Sequence, residues 1–465
     1  MVGNPFANQG LPHLVQYIDP ICMQARFEAF LQTNGSSVTV EACRLEKVSF
    51  RPDKHCSILF RVYLDDGSES WFFTKMYAVG KGQQRYEKER RKDPTVAFWS
   101  DWDTLVWTFP HDVKLPQLAR LLEPRYVAQL VEQNAHQLSL APDAVCHQVQ
   151  CKQVKYVPGK RCVLRFEVEA GEGAQQIRFF SKTFSNEQSR YVYEQLQSVC
   201  ATLGTGAGQF EIPPLLGHID GLHTFWQAEW PGEPMARLYY QDDWADVLPA
   251  VAEGLAAFHL SKIAGLRVAS YLDEIVSEVV GDAEWIAHFV PSVREQVLGL
   301  VARIADLELV IAEAKMETAV PIHGAFRMSQ LLHRLDDDGR QRIAMIDLDA
   351  IASGDPHYDV AEFMASTLYQ YFHRDLALPD LIKHADNFSR FYAAHVPWKL
   401  DGRLLAWYIA ASLVGKLRGS FKRIQFTAIA KTEDLFSLVT HYLDQVEEDE
   451  GENAPQQLAL SIPVV

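Results

Sequence analysis

Two stretches, "PIHGAFRMSQLL" (Pro321–Leu332) and "AMIDLDAIASGDPHYD" (Ala344–Asp359), decide how this chain is read. The first is a loop opening on His323 and Gly324. Between them, "SQLLHRL", the turn "DDDGRQ" and "RIAMIDL" read as a hairpin, because Asp and Gly favour turns. Its second strand ends in Asp347, directly after three apolar residues. Two carboxylates leaving a buried strand, Asp347 and Asp349, suit a magnesium ion, which prefers oxygen ligands. The other reading of "IDLD" is a strand-end acid that caps a turn.

Working outward, the chain has 465 residues, 48% hydrophobic and 22% charged, as expected of a globular protein of two or three domains. No apolar run approaches the roughly 18 residues of a membrane helix. "MVGNPFANQG" lacks the charged and apolar regions of a secretory signal. The net charge of -16 argues against a broad nucleic-acid or anionic-membrane surface, since phosphates would be repelled. All seven cysteines fall in the first 200 residues without a CxxC pair, so thiols in a reducing cytoplasm are expected, not a zinc site.

The first half repeats itself. Val48, Phe50, Pro52, Lys54, Cys56, Phe60 and Val62 match Val154, Tyr156, Pro158, Lys160, Cys162, Phe166 and Val168 at an offset of 106. One inserted residue later, "FFTK" matches "FFSK", setting Lys75 opposite Lys182. "RYEKE" (Arg85–Glu89) then matches "RYVYE" (Arg190–Glu194). An ordered series of this kind reads as a duplication. Each copy is expected to run strand, tight turn, strand, turn, strand, helix, then a further strand. In the second copy Cys162, Leu164, Phe166 and Val168 alternate onto one face.

Past residue 240 the period lengthens. Val247, Val251, Leu255 and Phe258 form one helical stripe, and Val293, Val297, Leu300, Val301, Ile304, Leu307 and Ile311 another. A sheet-rich part followed by a helical part predicts an α+β fold. The expected boundaries are a partial repeat or cap over 1–145, a sheet lobe over 146–234, a helical lobe over 235–445 and an acidic flexible tail over 446–465.

From about residue 146 to 430 the chain resembles the aminoglycoside and choline phosphotransferase family, the small-molecule branch of the protein-kinase-like fold. The family pattern is His-Gly-Asp, four residues, Asn or Gln, a hairpin, Ile-Asp, then Gly-Asp-Pro with an Asp three residues on. Here the corresponding residues are His323, Gly324, Ala325, Gln330, Ile346, Asp347, Gly354, Asp355, Pro356 and Asp359. The resemblance implies a two-lobe fold preceded by a partial N-lobe-like copy, with ATP and Mg2+ as cofactors. It implies Lys182 on the α and β phosphates, Glu194 orienting it in preference to Glu187, and the turn at Gly159 covering the phosphates. It further implies "QAEWPGEP" as the hinge receiving adenine, Asp347 and Gln330 as metal ligands with Asp349 nearby, and His323 and Asp359 as loop scaffolding.

Ala325 stands where the family carries the aspartate that accepts the substrate hydroxyl proton. A methyl group cannot do this. General-base contributions are about 10²–10⁴-fold. Arg327, two residues on, stays protonated and is no base, although it can stabilise phosphoryl charge. Two readings follow: a phosphotransferase acting on a hydroxyl of a small molecule, a sugar or amino alcohol, or a pseudokinase that regulates or scaffolds a protein partner. A kinase-like protein lacking the base can also transfer AMP. No nucleic-acid or membrane partner is expected. Lys75 and Glu89 repeat the lysine–glutamate pair, but no metal loop follows the first copy. A complete second nucleotide site is therefore not expected there.

Overall fold

A computed structural model describes residues 10–203, 210–269, 271–314 and 319–448. The expected tail falls almost wholly outside them, since residues 446–448 end the last helix and 449–465 are not described. The described residues form two compact units. One holds the chain up to Tyr193 with Leu215–Glu229 and Phe421–Gln425, and the other holds the remainder.

The first unit begins with α1 (Leu14–Tyr17) and α2 (Pro20–Thr33). Asp19 caps α2, its carboxylate accepting from the Ile21 amide at 2.9 Å, with Pro20 at the first position where no amide hydrogen is needed. There follow β1 (Val40–Arg51), β2 (His55–Leu64), β3 (Glu69–Tyr77), α3 (Gly82–Arg90), β4 (Ala97–Trp99) and β5 (Thr104–Thr108). After α4 (Leu118–Leu121) and α5 (Pro124–Gln133) come β6 (Cys146–Val157), β7 (Arg161–Ala170), β8 (Gln175–Phe184) and the start of α6 (Gln188–Leu203), whose residues from Glu194 on group with the second unit. The short β9 (Phe210–Glu211) belongs to the second unit, and β10 (Leu215–Ile219) and β11 (Thr224–Ala228) complete the first.

Its two five-stranded sheets are ordered β1-β2-β3-β5-β4 and β6-β7-β8-β11-β10, with every pairing antiparallel. The first hairpin of each sheet turns through one left-handed residue, Asp53 (φ 53) and Gly159 (φ 69), at the offset read in the sequence. Asp tolerates this backbone because its short side chain bonds locally, and Gly because it has no Cβ. Cys56, Ile58, Phe60 and Val62 are buried on β2, as Cys162, Leu164, Phe166 and Val168 are on β7. One apolar core joins the sheets, in which Leu59 and Trp71 meet Leu115, Leu118, Leu130, Leu164, Phe166 and Trp226.

The second unit is mostly helical: α7 (Leu248–His259), α8 (Tyr271–Phe289), α9 (Arg294–Asp306), α10 (Glu308–Ala314), α11 (Pro356–Leu368), α12 (Leu378–Ala393), α13 (Gly402–Arg423, its last residues grouped with the first unit), α14 (Phe426–Ala430) and α15 (Thr432–Glu448). Its strands are β9, β12 (Glu233–Pro234), β13 (Val320–Ile322), β14 (Leu331–Leu335), β15 (Gln341–Met345) and β16 (Ala352–Gly354). The hairpin expected from "DDDGRQ" is β14–β15. The α+β composition read from the sequence is what the chain forms. Asp355 caps α11, accepting from the His357 amide at 2.9 Å, with Pro356 at its first position; this accounts for "GDPHYD" in local terms. Among the described residues, no helix is long and apolar enough to cross a membrane.

Candidate functional site

The loop from His323 to Gln330 is held from behind by Asp359, a fully buried carboxylate on α11. Its Oδ2 accepts the His323 backbone N–H at 2.6 Å and its Oδ1 that of Gly324 at 2.9 Å. His259 Nε2 lies 3.2 Å from Oδ2, and Nδ1 of the same ring lies 2.7 Å from the Tyr392 hydroxyl. A carboxylate can only accept, so His259 donates from Nε2, while its Nδ1 shares a hydrogen bond with the Tyr392 hydroxyl. A chain from α12 through α7 and α11 thus fixes the loop backbone.

The His323 ring is also buried, with Nε2 3.0 Å from the Ile346 carbonyl. That oxygen accepts, so the proton sits on Nε2. Burial presses the His323 pKa below its usual value, with Asp359 opposing, and keeps the ring neutral. The His323 ring therefore ties the loop to the residue before Asp347.

Gln330 closes the loop. It is buried, its backbone N–H donates to the Arg327 carbonyl at 2.8 Å, and its backbone carbonyl accepts the Ile346 N–H at 2.9 Å. Leu331 then pairs with Met345, so Gln330 and the Ile346–Asp347 step lie abreast at the mouth of the hairpin. Asp347 adopts φ 60, ψ 42, the left-handed region that non-glycine residues seldom enter. Such backbone is retained where surrounding structure holds it and gathers at functional sites. Asp347 and Asp349 are both half-buried. The backbone thus sets Gln330 beside the Ile346–Asp347 step, with Asp349 two residues on, a segment whose side chains offer one amide and two carboxylates as donors. These donors suit magnesium, which takes one or two carboxylates and completes its shell with water and phosphate oxygens. Among the described residues, no three of His, Cys, Asp and Glu form a metal-binding group of their own.

Ala325 is half-buried between Gly324 and the fully buried Phe326. Arg327 bonds Ser329 Oγ at 3.0 Å through Nε. Sequence reasoning missed the carboxylate whose charge Arg327 feels, Glu362, one turn beyond Asp359 on α11. Glu362 receives Lys416 Nζ at 2.7 Å, Ser412 Oγ at 2.5 Å and Ser366 Oγ at 3.1 Å. Burial raises its pKa, but Lys416 and these hydrogen bonds outweigh that and hold it below the usual carboxylate value. Glu362 is ionised and fully engaged, so it offers the loop no free carboxylate. No motif announces the pair, because its members are 54 residues apart.

In the first unit, Lys182 sits on β8 between Val163 of β7 and Phe225 of β11, half-buried beside the buried Ser181 and Thr183. Gly159 lies at the turn of the adjoining hairpin. Its N–H donates to Asp112 Oδ2 at 2.6 Å, and the Tyr156 hydroxyl donates to the same oxygen at 2.8 Å. A carboxylate therefore already takes the backbone donor expected to face a phosphate. Asp112 comes from the segment after β5 and carried no signal in the sequence. Glu194, on α6, is exposed. The boundary between the units falls just before it. At the hinge segment, the Glu229 amide donates to the Arg178 carbonyl at 3.0 Å within the first unit, and Trp230 Nε1 donates to Glu211 at 2.7 Å within the second.

No family model matches the chain, and no curated protein matches it. Among solved structures it is similar to the GDP and kanamycin complex of APH(2")-IIia, at 16% identity over 69% of this chain and 99% of that one, with a TM-score of 0.42. It is similar to spectinomycin phosphotransferase APH(9)-Ia in complex with ADP and spectinomycin, at 12% identity over 70% and 98%, TM-score 0.42. A choline/ethanolamine kinase family protein from Mesorhizobium loti gives 11% identity over 65% and 89%, TM-score 0.36. All three likenesses are weak.

Proposed function

We propose that this chain is a kinase-like protein that binds Mg-ATP and in which phosphotransfer to a hydroxyl is slowed or lost because Ala325 occupies the position of the base. The observation that carries this reading is the loop of the second unit. Asp359, His259 and His323 hold its backbone, Gln330 and Asp347 stand abreast at its metal end, and its proton-accepting end is a methyl group. Asp347, Gln330 and Asp349 would hold magnesium, which when bound neutralises phosphate charge. Lys182 would meet the nucleotide phosphates, with Arg327 as a cation beside the transferred group.

The absence of a base, with Asp112 on the Gly159 amide, favours a regulatory or scaffolding pseudokinase. A second reading, a small-molecule phosphotransferase, is favoured by a cavity of about 580 Å³ in the second unit, lined by Tyr239, Tyr240, Trp244, Arg374, Asp380 and His384. That volume suits a small ligand, and the mixture of rings and carboxylates suits a sugar or amino alcohol.

Thermal unfolding tests nucleotide binding. ATP with Mg2+ is expected to raise Tm, since ligand at about a hundred times Kd adds about 2.7 kcal/mol to stability. The part of the shift that needs Mg2+ is expected to vanish in Lys182→Ala and in Asp347→Ala, each compared with its own ligand-free Tm. No shift at millimolar Mg-ATP, or the same Mg-dependent shift in both variants, would overturn the reading.

A further inference from the structure

A second group of cations gathers on the first sheet, apart from every residue assigned above. Tyr77, half-buried at the end of β3, is its centre. Lys75 Nζ lies 5.2 Å from that ring's centroid, the Arg85 guanidinium carbon 5.9 Å and the His55 ring 6.0 Å. Arg51 is the register partner of His55, and Lys54 lies in the turn between them. The group is thus drawn from the β1–β2 hairpin, the end of β3 and α3.

Its charge is unusual in this protein. The net charge is -16, yet Lys75 to Lys92 contains seven basic residues against two acidic ones. Among the described residues, Arg51, Lys54, Lys75 and Arg85 make no ion pair. The nearby acid, Glu89, is 3.5 Å from Lys92. Burial and repulsion from Arg51 and Arg85 press the Lys75 pKa down, against Glu89. Burial and the charges of Lys75, Arg51, Lys54 and Arg85 push His55 down to about 4. Lys75 and His55 thus sit in a net positive potential, which Glu89 offsets only in part at Lys75.

Phe73, Lys75 and Tyr77 alternate along β3 and so share one face. At Phe73 that face borders a cavity of about 200 Å³, whose walls include Trp107, Glu89, Tyr156 and Lys114. The rings of Phe73 and Trp107 stack at 5.4 Å. A cavity walled by rings and by the carboxylates of Glu89, Asp93 and Asp112 therefore opens beside a cluster of cations that make no ion pair among the described residues.

We infer that the first sheet binds a phosphate-bearing anion, with a di- or triphosphate group on Arg51, Lys75 and Arg85 and, where the ligand is a nucleotide, its nucleoside in the cavity at Phe73 and Trp107. The site needs no divalent cation, because the charge it supplies is its own. A compact, half-buried cluster around one ring suits a small polyanion better than an extended phosphate backbone, which a chain of this net charge repels.

Calorimetric titration of the full chain with sodium tripolyphosphate and, separately, with ATP, both in EDTA, tests this independently of the Mg-dependent site. Both ligands are expected to bind the wild type. Arg51→Gln combined with Arg85→Gln, both at exposed positions, is expected to weaken each by about tenfold or more, since charge-assisted hydrogen bonds are lost. Lys75→Gln is expected to act in the same direction. Equal affinity for the two ligands would assign recognition to the phosphates alone, and tighter ATP would assign the cavity to the nucleoside. No binding to wild type, or unchanged binding to the double variant, would overturn the inference.

Discussion

Ala325→Asp is expected to raise Mg-ATP turnover, with water or a small hydroxyl compound as acceptor, by about 10²–10⁴-fold over wild type. That range corresponds to roughly 3–5 kcal/mol of barrier. The reasoning is local. Asp359 already fixes the backbone on the N-terminal side of position 325 through the His323 and Gly324 amides, and the buried Phe326 anchors the other side. A new carboxylate would project from a held backbone, which is the condition for effective general-base catalysis. Neighbouring carboxylates do not fill the role: Asp359 is fully buried under the loop, and Glu362 is bonded to Lys416, Ser412 and Ser366. Turnover measured by phosphate release, with Asp347→Ala added to the new variant as control, checks this. An unchanged rate would mean that the site has lost more than its base, and would leave the regulatory reading standing alone.

Asp359→Ala has the largest expected effect on stability, a loss of about 3–5 kcal/mol. Three donors converge on this carboxylate, the amides of His323 and Gly324 and the imidazole of His259. An unsatisfied buried polar group costs about 1–3 kcal/mol, and truncation to Ala orphans all three donors at a fully buried position. In a domain of this size that corresponds to a fall in Tm of roughly 10 °C. Asp359→Asn should be milder, because an amide oxygen can still accept one of the three. Denaturant unfolding of both variants decides the matter. A small effect of Asp359→Ala would show that the loop is held by something other than this carboxylate.

Local signals were legible in the sequence and distant ones were not. The β14–β15 hairpin was announced by "DDDGRQ", and the alternation of β7 by Cys162 to Val168. In each case the cause lies within a few residues: a turn former or a period. The proposed loss of a base at Ala325 rests on one residue in a loop of fixed spacing, which the sequence displays directly. The Asp112–Gly159 contact was not, because it spans 47 residues and Asp112 belongs to an irregular segment. The Glu362–Lys416 pair and the cations around Tyr77 were hidden for the same reason, being assembled from separate helices, or from two hairpins and a helix. Lys75 is half-buried among like charges, and only the packing of β3 against its neighbours could reveal that.

The central claim is that the metal-nucleotide end of the loop survives without its proton-accepting end. Its most direct test is the dissociation constant of ATP, measured by calorimetry with and without Mg2+, for wild type, Ala325→Asp and Asp347→Ala. Wild type and Ala325→Asp are predicted to share the same Mg-dependent affinity within a few-fold, because a base acts on the barrier and not on nucleotide binding. Asp347→Ala is predicted to lose that component. Mg-dependent binding that appears only once Asp is restored at position 325, or that persists in Asp347→Ala, would contradict the account.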